Sequence, residues 1–275
     1  MKYHTDSFFT IGDTHEICQD YALAGTTKNG IPYAIVCDGC SGATGQVDFG
    51  ARIVAHGLVQ CIEEVGYNTY LIDDVNKMVM HDLRTFILDE MHSFNLTVDD
   101  FFVTIEAVFI WKDIAFRLRY GDGVHIRNND FFNYEFTSGA PFYLAYNMNA
   151  TKEMYLDQFG KFPIRLHASF KDTFESTSVE SWIGCRMWSS YEPLSNPKAG
   201  YNILAVASDG LLSFSLAEQP CDLMWVVDEI VSVKNFNYGF LNRRMKKFLK
   251  KETLSHYDDV SVAMIIVERY GHAEN

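Results

Sequence analysis

The sequence predicts an α+β domain in which antiparallel sheets are covered by pairs of helices. Helical apolar spacing comes in two blocks, Val47 to Phe86 and Leu223 to Phe248, each long enough for two amphipathic helices. Strand-like runs stand around those blocks, most clearly Phe101 to Trp111, where every odd position is apolar, and Val260 to Val267. Because helices are paired and do not alternate with single strands, the order argues against a doubly wound parallel sheet.

Taken along the chain, the first buried run is Tyr33-Ala34-Ile35-Val36-Cys37. The spacing of Val47, Ala51, Val54, Ala55, Leu58, Ile62 and Val65 predicts one helix, and Ile72, Val75, Val79, Leu83 and Phe86 predict a second. The strand from Phe101 to Trp111 is followed closely by Ile114 to Tyr120 and Val124 to Arg127, which reads as an antiparallel meander. Residues 138–200 hold no sustained period and four of the six prolines, and are expected to be an irregular insertion or flap within a single domain spanning 1–275. Ile203 to Ala207 predicts another buried strand. Leu223, Val226, Val227, Ile230 and Val231 predict a third helix, Leu241, Met245 and Phe248 a fourth, and Val260 to Val267 the final strand. The basic run Arg243, Arg244, Lys246, Lys247, Lys250 and Lys251 lies on that fourth helix, where a solvated face is the simplest account.

Composition narrows the function. The chain has 275 residues, 48% of them apolar, enough for a sizeable core. Acidic residues outnumber basic ones 36 to 23, a formal charge of −13, so a nucleic-acid partner is not expected. No stretch approaches the roughly 20 apolar residues of a membrane span, and with no apolar run behind the start Met1-Lys2-Tyr3-His4-Thr5-Asp6 secretion is not expected. Six cysteines are too sparse for a disulfide scaffold, and a reducing cytoplasm is expected. Cys37 and Cys40 form one C-x-x-C, which leaves a redox reading open, but no second pair completes a zinc ribbon and Gln19 breaks an H-E-x-x-H pattern.

One pattern recurs at strand ends. Asp38-Gly39 closes the run from Tyr33, Gly121-Asp122-Gly123 closes the run from Ile114, Asp209-Gly210 follows Ile203 to Ser208, and Asp258-Asp259 precedes the final strand. Any one Asp-Gly is a common turn signal. Several carboxylates on rigid strand ends would build an all-oxygen pocket suited to Mg²⁺ or Mn²⁺, since without cations their mutual repulsion raises their pKa values and costs stability.

These residues resemble the metal-dependent type 2C protein serine/threonine phosphatases, bacterial branch. Four blocks match in order: Gly12-x-x-His15-x-x-Cys18-Gln19-Asp20; Val36-Cys37-Asp38-Gly39 with Gly42 and Gly50-Ala51; Gly121-Asp122-Gly123; and Ala207-Ser208-Asp209-Gly210-Leu211 with Asp258-Asp259-Val260-Ser261-Val262. The resemblance implies a four-layer α/β/β/α sandwich with a two-metal site at one edge. It implies that Asp38 bridges both ions, that Gly39 offers its carbonyl to the second, that Asp209 and Asp258 bind the first, and that Asp122 helps hold a third. Asp20 and Gln19 would support these ligands from behind. The substrate implied is phosphoserine or phosphothreonine in a protein, hydrolysed by a water shared between the ions, with residues 138–200 gating access or docking a partner.

Four positions depart from the family. His15 stands where the phosphate-binding Arg is usual and Gln19 where an acid is usual, while Cys40 takes the place of a His proposed as proton donor; His15 is the residue left to donate that proton. Asp259 replaces a usual Asn, and Asp258 is preferred as the ligand. None of the six cysteines has an Arg six residues later, so a cysteine-phosphatase route fails on spacing. The alternative function is a catalytically weak phosphatase-like module that regulates or senses without turnover.

Overall fold

Strand alternation sorts the apolar side chains into three cores stacked between four layers. The computed structural model describes residues 1–67, 72–148, 151–169, 171–178, 190–194 and 201–268. In chain order the strands are β1 (Lys2–Thr10), β2 (Tyr21–Thr26), β3 (Pro32–Gly39), β4 (Val103–Trp111), β5 (Ile114–Tyr120), β6 (Gly123–Arg127), β7 (Asp130–Phe136), β8 (Pro163–Ala168), β9 (Lys171–Ser178), β10 (Ser190–Pro193), β11 (Tyr201–Ala207), β12 (Phe214–Leu216), β13 (Gln219–Pro220), β14 (Leu254–His256) and β15 (Val260–Glu268). The helices are α1 (Val47–Val65), α2 (Ile72–Phe94), α3 (Thr151–Phe159), α4 (Leu223–Val231) and α5 (Phe240–Phe248).

One sheet has seven strands in the order β1-β15-β11-β6-β7-β8-β9, a second has five in the order β10-β5-β4-β3-β2, and β13-β12-β14 form a small third. In β3 and β4 the odd residues Ile35, Cys37, Ile105 and Phe109 pack outward beneath α1 and α2. In β11 and β15 one parity, Ile203, Ala205, Val262, Met264 and Ile266, packs outward beneath α4 and α5. The opposite parity of both sheets, Ala34, Val36, Val108, Leu204, Val206, Ala263 and Ile265, meets in the middle. Residues of period two thus feed two cores from one strand, as burial on both faces requires.

The expected meander is corrected. β4 and β5 pair antiparallel, but β6 leaves them and pairs with β7 and β11 in the other sheet. Gly121 and Gly123, at φ +83 and +138, make the change of sheet, and a Cβ on either would collide with Thr104 or Glu106. Asp122 therefore sits at a step where the chain passes directly from one sheet to the other. Residues 138–200, expected to be irregular, supply α3, extend the seven-stranded sheet through β8 and β9, and extend the five-stranded sheet through β10. Parts of that stretch, 149–150, 170, 179–189 and 195–200, lie outside the described residues. Among the described residues no helix is long and apolar enough to cross a membrane.

The middle layer turns polar toward β6. Glu106, Arg119 and His125 are all buried there, and one Glu106 carboxylate oxygen meets Arg119 Nε while the other meets His125 Nε2. The Arg119 guanidinium lies 3.3 Å over the Tyr134 ring. Burial pushes the His125 imidazole down to about 4, against the opposing pull of Glu106, so it is neutral at physiological pH. A Glu–Arg pair beside a neutral His leaves these three residues together without net charge.

Candidate metal centre at the edge of the sandwich

The predicted aspartates are carried to one edge by the ends of strands from both sheets. Asp38 is the penultimate residue of β3, Asp122 stands in the sheet-changing turn, Asp209 opens a short 3₁₀ turn after β11, and Asp258 precedes β15. Each is half-buried, set deep yet reaching solvent. Burial raises the Asp38 carboxyl well above the ordinary carboxylate range, and the charges of Asp20, Asp209 and Asp122 raise it further. Asp122 is raised by burial and by Asp209, and Asp209 by burial and by Asp258, although hydrogen bonding from Asp38 partly offsets the last. Asp38, Asp122, Asp209 and Asp258 thus form one electrostatic chain.

Asp20 lies behind Asp38 and is buried. Burial pushes its carboxyl up to about 7, while Ser261, Ser208 and Asp38 pull it back down. Its Oδ2 has no hydrogen-bond partner. Ser208 and Ser261 were not singled out from the sequence; their signal was small residues beside Asp209 and after Asp259, at positions facing the middle layer. The Ser261 amide donates to Ser208 Oγ at 3.2 Å, which ties the end of β11 to β15 behind the site.

Asp258 and Asp259 divide their work. Asp259 is buried and accepts the amides of Gly12 at 2.7 Å and Gln19 at 2.6 Å. It anchors the loop between β1 and β2. Asp258 keeps 36% of its side chain exposed and faces the cluster. Gln19 acts through its backbone, since its carbonyl accepts the Gly39 amide at 3.3 Å while its own amide binds Asp259. His15 stands across both aspartates, Nε2 at 3.5 Å from Asp258 Oδ1 and Nδ1 at 3.0 Å from Asp259 Oδ1.

The donor set is all oxygen and anionic, with an unpartnered buried carboxylate oxygen behind it, and it fits hard divalent cations. Among the described residues no three His, Cys, Asp or Glu side chains already close into a ligand cage; the fit rests on donor chemistry and on charge seeking neutralisation. The cysteines suit it less. Cys18, Cys37, Cys40, Cys61 and Cys221 are free, and Cys185 lies outside the described residues. Cys37 is fully buried on the helix side of β3, where burial and Asp20 hold its thiol protonated. That opposes the thiolate a redox pair needs.

Residues 12–250 match the family described as protein phosphatase 2C. In fold the chain is similar to an S. agalactiae serine/threonine phosphatase, 14% identical, with a TM-score of 0.57 and coverage of 97% of this chain and 100% of that one. It is also similar to the serine/threonine phosphatase Stp1 of Staphylococcus aureus, at 12% identity, TM-score 0.53 and coverage of 98% and 96%. A third is PppA of Pseudomonas aeruginosa, described as a key regulatory component of T6SS, at 14% identity, TM-score 0.53 and coverage of 98% and 99%. Among curated protein sequences none matches significantly.

Proposed function

We propose, from the premise that this chain belongs to the protein phosphatase 2C family, that the cluster of Asp38, Asp209 and Asp258 is its hydrolytic centre. The protein is a metal-dependent protein serine/threonine phosphatase. One observation carries the assignment of residues: burial and mutual repulsion raise the Asp38, Asp122 and Asp209 carboxyls together, an arrangement that costs stability unless cations neutralise it.

Divalent cations bound there, Mn²⁺ or Mg²⁺, would neutralise phosphoryl oxygens and lower the pKa of an attacking water. Asp38, from the five-stranded sheet, would hold two ions, with the Gly39 carbonyl beside it; Asp209 and Asp258, from the seven-stranded sheet, would hold one of them, and Asp122 a third. Asp20 holds Asp38 from behind. His15, which stands across Asp258 and Asp259, would give a proton to the departing serine or threonine oxygen. With no cysteine followed by an Arg six residues later, attack by water is the route this reading assigns. Phosphorylated proteins in a reducing cytoplasm are the substrates this reading assigns, with a single catalytic domain whose 138–200 stretch is available for docking.

Replacing Asp38 or Asp209 by Asn should remove Mn²⁺-dependent hydrolysis of p-nitrophenyl phosphate while circular dichroism stays that of the parent protein. Retained activity in either variant overturns the assignment. A module without turnover would instead bind Mn²⁺ weakly in calorimetric titration, or bind it and hydrolyse nothing.

A further inference from the structure

Immediately past Asp38-Gly39 the chain borders a cavity of about 440 Å³ walled by Cys40, Gly42, Phe102, Tyr143, Tyr146 and Phe159. Its wall is built in advance. The Cys40 amide donates to the Phe102 carbonyl at 2.9 Å, which fixes the turn after Gly39 against the aromatic side. Phe102 meets Tyr143 and Tyr146 edge-on, at ring separations of 5.7 and 5.3 Å, and Tyr146 rests on Tyr155 at 4.5 Å. Rings so packed give up little further freedom when something binds.

The cavity wall begins at Cys40, two residues past Asp38. Tyr143 and Cys40 share the cavity wall, and the Tyr143 hydroxyl lies within the field of both Asp122 and Asp38. An extended peptide advances about 3.3–3.6 Å per residue. A phosphorylated residue held at Asp38, two residues before Cys40, would bring a neighbouring side chain within reach of this wall.

We propose that this cavity is a specificity pocket for a large apolar or aromatic substrate side chain close in sequence to the phosphorylated serine or threonine. The inference rests on the hydrolytic reading above and extends it to the substrate. Among the described residues on its border the one carboxylate, Asp99, is exposed and accepts a hydrogen bond from Thr44 Oγ1 at 3.4 Å. Phe102, Tyr143, Tyr146 and Phe159 present carbon to the interior, which favours an apolar occupant over a basic one.

The test uses the full chain with Mn²⁺ and matched phosphopeptides carrying Phe or Gly at each position from two before to two after the phosphoresidue. At one position Phe should raise kcat/KM by roughly 10- to 100-fold, the gain from burying one such side chain. Two substitutions should bring that ratio toward one. Tyr146→Ala removes part of the wall. Gly42→Leu fills the space, since a Cβ there meets only Cys40 Sγ, at 3.9 Å. A ratio near one at every position, a ratio surviving both substitutions, or a stronger preference for Arg than for Phe overturns the pocket. If p-nitrophenyl phosphate is hydrolysed and the ratio is flat, the pocket falls and the hydrolytic reading stands. If nothing is hydrolysed, both fall.

Discussion

Asp259 accepts the Gln19 amide at 2.6 Å, and Gln19 in turn accepts the Gly39 amide. A buried carboxylate is thereby linked through one backbone to the residue beside Asp38. The neighbouring Asp258 carboxylate accepts the adjacent Asp259 amide at 2.9 Å and stays partly exposed.

This division predicts opposite phenotypes for adjacent aspartates. Asp259→Ala loses two charge-assisted hydrogen bonds and should cost about 2–4 kcal/mol in urea unfolding. Asp258→Asn should unfold near the parent midpoint but bind Mn²⁺ more weakly by calorimetry. The same stability loss in both would erase the distinction.

His15→Gln should lower turnover more than it changes metal affinity, because the imidazole faces two carboxylates without being needed as an ion ligand. Steady-state kinetics beside Mn²⁺ titration decides it. Equal losses in both would mean that His15 merely arranges Asp258.

The pH dependence of the ion-free protein follows from Asp20. Its folded-state pKa of about 7 lies above the unfolded value near 4. The folded protein then holds a proton that the unfolded chain has released, so the contribution is present below about pH 4 and is lost as pH rises through about 7. Asp38 and Asp122 shift in the same direction. Thermal unfolding without ions should fall between pH 5 and 8, Asp20→Asn should flatten that fall, and added Mn²⁺ should restore more stability at pH 8 than at pH 5. A profile unchanged by Asp20→Asn contradicts the assignment.

The Glu106–Arg119–His125 cluster makes a separate stability prediction. Glu106→Ala leaves the Arg119 charge buried without its partner and should cost about 3–5 kcal/mol. Replacing all three residues together by apolar side chains of similar volume should recover most of that loss. Urea unfolding of both variants measures it, and a small loss in Glu106→Ala would show that water reaches the cluster.

Much of this architecture was legible in the residues. The spacing from Val47 to Val65 and the run from Val260 to Val267 coincide with α1 and β15, because a burial pattern with one strong period leaves little choice. β1 was not legible: Lys2-Tyr3-His4-Thr5-Asp6 reads as a polar start, and its register is set by pairing with β15. The sheet change at Gly121–Gly123 was also hidden, since short runs on either side look alike whichever sheet receives them. The aspartate ends could be read from Asp-Gly spacing, whereas the parts played by Ser208, Ser261 and the Gln19 backbone depend on tertiary approach.

Asp38 comes from the five-stranded sheet, while Asp209 and Asp258 come from the seven-stranded one. On this assignment the ions rivet two slabs together at one margin, as a clasp closes a book. Chelation would then release a mechanical joint along with a catalyst, and the spacing between the slabs at that margin would widen first.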